Sequence, residues 1–171
     1  MRPHITPLVL TLTAAVSAPA LAQQPAHPPA CTSAEHHQFD FWIGDWEVTL
    51  PNGKHAGTNR IDPILAGCVL QENWSGAGGM HGTSYNIYDA TGHRWHQTWV
   101  DDRGSLLELN GAFEDGKMVL TGEQKDTSGT TLQRITWTPS ASGEVRQLWE
   151  SSIDGGKTWA VQFDGRYRKK G

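Results

Sequence analysis

Glu72, Asp101, Asp102, Glu108 and Glu150 are the side chains of this chain that could hold or move a proton in a dry cavity. No nucleophile, base and orienting partner accompany them. There is no Gly-x-Ser-x-Gly elbow, and Cys68 has a simpler role in pairing with Cys31. His93 and His96 stand three apart, on opposite faces of a strand, with no Cys or carboxylate at zinc-like spacing. We therefore expect no catalytic residue, metal or cofactor. A different pattern stands out: on a strand, side chains two apart share a face, and this places Glu72 with Trp74, Gln97 with Trp95 and Trp99, Gln133 with Ile135 and Trp137, and Gln147 with Val145 and Trp149. If that face is interior, Glu72, Trp74, Gln97, Trp99, Trp137, Gln147 and Trp149 line a ligand pocket with a few orienting polar groups. The alternative is a filled core in which the amides satisfy indole N–H donors. The opposite faces carry Arg94, His96, Arg134, Thr136, Arg146 and Glu150, which suit cross-strand pairs on a wet exterior.

The elements that would hold this face are strands. Asn52-Gly53, Thr91-Gly92, Asp115-Gly116, Ser128-Gly129, Ser142-Gly143 and Asp154-Gly155-Gly156 punctuate alternating segments, and Asn-Gly and Asp-Gly supply the positive φ of tight hairpins. This spacing predicts an all-β fold, an antiparallel up-and-down barrel of about eight to ten strands, with no helical stretch to support a parallel sheet. Before the first strand, Thr32 and Glu35 have capping-box spacing. Phe39, Trp42 and Ile43 recur at helical intervals up to Gly44, which predicts a short helix plugging one barrel end. Gly76, Gly78, Gly79 and Gly82 form a lid or a wide turn, with spacing unlike a dinucleotide fingerprint.

Residues 1–22 have the form of a signal peptide. Arg2 and His4 precede an apolar stretch from Pro7 to Val16, and Ala20-Leu21-Ala22 supplies a cleavage site, so the mature chain is expected to start at Gln23. The stretch is shorter than the roughly 20 residues that span a bilayer, so no stable membrane insertion is expected after cleavage. This places the protein in the periplasm or outside the cell. Residues 23–30, with Pro25, Pro28 and Pro29, form an extended lead-in, and residues 31–171 a single barrel domain. Fourteen basic residues against 18 acidic ones offer nothing to nucleic acid, and the basic cluster at Arg166, Arg168, Lys169 and Lys170 has the form of a solvated chain end. In an exported chain two cysteines, Cys31 and Cys68, are expected to form a disulfide; a buried Cys68 beside a free Cys31 is the alternative.

Gly44-Asp45-Trp46, entering the first strand from a short helix, resembles the Gly-x-Trp signature of lipocalins and the wider calycin group. That resemblance implies a barrel whose Trp46 packs against an Arg from a late strand, with Arg166 the first choice and Arg168 the second. Phe39 to Trp46, Gly67-Cys68, Glu72-Asn73-Trp74, His96-Gln97-Thr98-Trp99, Thr136-Trp137 and Asp154 to Trp159 together resemble an uncharacterised family of bacterial exported proteins. That second likeness spans residues 31–169 and implies no activity. Some calycin-like barrels, the nitrobindins, hold haem through a His near the C-terminus, but no His follows His96 here. Ser152-x-Asp154-x-Gly156-x-Thr158-Trp159 resembles the Asp-box of sialidase propellers, which implies a structural turn built by Asp154 and Trp159. The functional expectation is an exported binder of a small, partly apolar ligand. An enzyme using carboxylates in the barrel and a protein-interaction module are the alternatives.

Overall fold

The computed structural model describes residues 31–127 and 129–171. The expected signal peptide, its cleavage site at Gln23 and the lead-in lie outside the described residues. Ten antiparallel strands follow one another around a closed barrel: β1 (Gly44–Thr49), β2 (His55–Ile64), β3 (Val69–Gly76), β4 (His81–Asp89), β5 (Arg94–Asp101), β6 (Leu106–Glu114), β7 (Lys117–Asp126), β8 (Gly129–Pro139), β9 (Val145–Ser152) and β10 (Ala160–Lys169), with β10 closing onto β1. This is the expected up-and-down barrel, at the upper end of the expected strand number. Closure leaves no sheet edge to protect. Glycines at positive φ sit in the expected hairpin turns, among them Gly53, Gly116, Gly143 and Gly155.

One barrel end is plugged. The expected short helix is present, wound as two 3-10 turns, Ala34–His37 and Asp40–Trp42. The capping box does not form, because Ser33 precedes the first turn without a side-chain cap, and its hydroxyl bonds His36 Nδ1 at 2.9 Å instead. A 3-10 turn has three residues per turn, so positions i and i+3 eclipse. Phe39 and Trp42 accordingly stack face to face, with ring centroids 5.0 Å apart. Both are fully buried, and around them Trp95, Trp137 and Tyr167 pack edge-on or tilted. The Trp46 indole donates to Trp42 O at 2.9 Å and the Trp95 indole to Gln38 Oε1 at 3.2 Å. The Cys31–Cys68 disulfide, with Cα atoms 5.2 Å apart, fastens this segment to the turn between β2 and β3.

The expected Trp46–Arg166 closure does not occur. Register pairs Trp46 with Lys169, whose ammonium lies 5.3 Å from the indole centroid. Arg166 and Arg168 flank the inward-facing Tyr167, so alternation turns both outward. The exterior pairs follow the expected pattern: Arg134 reaches Glu150 at 3.0 Å, and Arg146 grips Asp164 through two bonds of 2.8 Å.

Candidate ligand-binding site

Beyond the plug, the barrel interior is layered. The first layer is polar. Glu72 on β3, 4% exposed, accepts hydrogen bonds from Asn59 Nδ2 of β2 and Ser84 Oγ of β4, each at 2.6 Å. Ser84 in turn accepts from Asn86 Nδ2 at 2.9 Å, and Gln97 Nε2 of β5 donates to Asn86 Oδ1 at 2.8 Å. Across the barrel, the Tyr167 hydroxyl donates to Gln147 Oε1 and receives Asn59 Nδ2 at 3.4 Å. These groups sit on consecutive strands because period-2 alternation turns one residue in two inward, and register aligns Glu72 with Ser84 and Asn86 with Gln97.

Burial pushes the Glu72 carboxyl up from 4.5 to about 7, against the opposing pull of the Ser84 and Asn59 hydrogen bonds. Burial, and then the neighbouring Glu72 charge, hold the Tyr167 phenol well above its usual range. Asn59 Oδ1 is buried and has no hydrogen-bond partner among the described residues.

Above this floor lies a cavity of about 250 Å³. Its walls are Trp74, Trp99, Trp149, Phe163, Leu107, Ile135 and Met80; Glu72, Gln97, Gln147 and Tyr167 reach it from the floor, and Gln162 from the rim. Glycine makes room for the aromatic walls. A Cβ at Gly82 would lie 2.2 Å from the Trp99 ring, and one at Gly165 would lie 2.4 Å from the Phe163 ring, so each ring lies flat over bare backbone. Trp149 is held differently: its indole donates to Gln133 Oε1 at 2.7 Å, and Gln133 Nε2 bonds Gln124 Oε1 at 2.7 Å. Here, as at Trp95 and Gln38, the amide does satisfy an indole donor, as the filled-core alternative would have it.

Of the seven residues expected at the pocket, Glu72, Trp74, Gln97, Trp99, Gln147 and Trp149 surround the cavity. Trp137 does not. It lies one layer deeper, fully buried against the stacked Phe39 and Trp42, because it occupies the plugged end of β8 while Ile135 takes the wall position. The sequence reading missed Asn59, Ser84, Asn86 and Tyr167. Two signals were present: Ser84 and Asn86 share a strand face, and Tyr167 stands between two arginines that must both face outward. Met80, from the glycine-bearing turn between β3 and β4, and Phe163, beside a register shift in β10, carry no such signal.

The Asp154 loop joins β9 to β10 as a fixed turn. Asp154 accepts from the amides of Lys157 and Thr158, each at 2.9 Å, and from Thr158 Oγ1 at 2.6 Å, and these bonds hold its carboxyl down to about 2. Trp159 donates to Gly156 O at 3.1 Å and lies 4.0 Å beneath the Arg134 guanidinium. No protein-family model matches this chain. No curated protein matches it either. The fold is that of a closed antiparallel barrel compatible with the calycin type.

Proposed function

We propose that this protein binds a small, partly apolar molecule inside its barrel, and that it does so after export as a calycin-like carrier or sensor of that molecule. The supporting observation is the cavity of about 250 Å³ whose walls are aromatic and aliphatic while its floor presents Glu72, Gln97 and Gln147. Apolar walls give affinity through surface removed from water, and a few fixed polar groups give orientation. The resemblance to exported bacterial proteins and the disulfide both accord with a life outside the cytoplasm.

Titration of the full chain with naphthalene, followed by tryptophan fluorescence, tests the reading. Saturable quenching is the expected outcome. Leu107→Trp, which fills the cavity from β6, should abolish the quenching while leaving the far-UV circular dichroism of the barrel in place. Unchanged fluorescence in the parent chain, or undiminished quenching in the filled variant, overturns the cavity as a binding site. A second reading rests on Glu72 alone. A carboxyl poised near neutrality in a dry cavity has the proton affinity that general acid–base catalysis uses.

A further inference from the structure

The cavity floor holds a carboxyl group with no basic counterpart among the described residues that line it. Glu72 faces Asn59 from β2, Ser84 and Asn86 from β4, Gln97 from β5, and Gln147 and Tyr167 from β9 and β10. Tyr167 is the other titratable group among these. No Lys, Arg or His is among the residues that line the cavity. An ionised carboxylate offers about four lone-pair sites, and the Asn59 and Ser84 bonds occupy one on each oxygen. Acceptor capacity therefore remains on a buried group that also contributes to the cavity surface. Over it stand the π-systems of Trp74, Trp99, Trp149 and Phe163, whose faces carry negative charge density and attract cations.

We propose that the cavity selects organic ammonium ions: a protonated amine whose N–H groups reach Glu72 and whose apolar body lies among the indoles. This rests on the cavity being the binding site, and it specifies the ligand's charge. A neutral ligand leaves the carboxylate uncompensated in a dry site, and an anion repels it. An ammonium supplies the countercharge that the protein omits and satisfies the spare lone pairs through charge-assisted bonds. The bound cation also favours the ionised carboxyl, so binding below neutrality displaces the proton that burial otherwise keeps on Glu72.

Isothermal titration of the full chain with phenethylamine, phenethyl alcohol and hydrocinnamate separates the possibilities, since the three share one apolar body and differ in charge. At about pH 8 the amine should bind at least about tenfold more tightly than the alcohol, the scale of one charge-assisted hydrogen bond, and hydrocinnamate should bind most weakly. At about pH 6, titrations in buffers of different ionisation enthalpy should show proton release with the amine and none with the alcohol. Glu72→Gln should bring amine affinity down to that of the alcohol. Equal or tighter binding of the alcohol or of hydrocinnamate overturns the ammonium assignment and leaves the cavity reading standing. So does amine binding without proton release, a readout that needs no variant to fold. Failure of all three compounds to bind overturns both.

Discussion

Glu72 makes the stability of the barrel depend on pH in an unusual direction for a carboxyl group. Its ordinary value is 4.5 and burial lifts it to about 7, so the folded chain binds a proton that the unfolded chain releases across that interval. A raised carboxyl contributes stability that is complete below pH 4.5 and is lost as pH rises toward 7. The loss from this one group is about 3 kcal/mol, since each unit of displacement corresponds to about 1.4 kcal/mol. Urea denaturation at about pH 5 and about pH 8 should therefore show a decline that Glu72→Gln removes. Asn59 can accommodate the variant, because turning its amide over offers the unpartnered Oδ1 to the new Gln N–H. A slope that survives the substitution would assign it to other groups. Asp154 runs the opposite way: its depressed carboxyl supports the turn above pH 3.8 and gives up that support as pH falls through about 2.

At the scale of elements, the plug and the strands depend on each other. Among the described residues, the segment before β1 (31–43) has only two short 3-10 turns of its own, and its fixed position comes from the burial of Phe39 and Trp42 and from the Cys31–Cys68 bond. Cys68→Ala should cost roughly 2–5 kcal/mol, measured by urea or thermal unfolding of the oxidised protein. An unchanged midpoint would mean that aromatic packing alone seats the plug. The expected short helix takes 3-10 winding, and Lys169 stands where an arginine was expected, for related reasons. Spacing of three between Phe39 and Trp42 is common to α and 3-10 geometry, and the stacked pair favours the latter. The partner of Trp46 depends on the β1–β10 register, which sets Lys169 opposite it and is invisible to local pattern.

For the molecule as a whole, the interior passes from apolar plug through polar floor to aromatic-walled cavity, and a substitution should register its layer. Trp137→Ala in the close-packed plug should cost about 3–5 kcal/mol. Trp99→Ala at the cavity wall should cost clearly less and should instead weaken binding of an apolar ligand, because the space it vacates adjoins one already open. Equal costs at the two positions would show the interior to be uniformly packed. Much of this architecture was legible in the chain. Turn dipeptides marked the hairpins because few residues tolerate positive φ, and alternation placed Glu72, Trp74, Gln97, Trp99, Gln147 and Trp149 on one face because strand geometry has a period of two. Two cysteines 37 residues apart sufficed to suggest their bond. Depth along the barrel axis was another matter. Alternation says which way a side chain faces and nothing about whether it meets plug, floor or cavity. The sorting of Trp137 from Trp149, the meeting of Asn59, Ser84 and Tyr167 around one carboxyl, and the choice of Lys169 over Arg166 all follow from inter-strand register and barrel closure, which bring together residues as far apart as Asn59 and Tyr167.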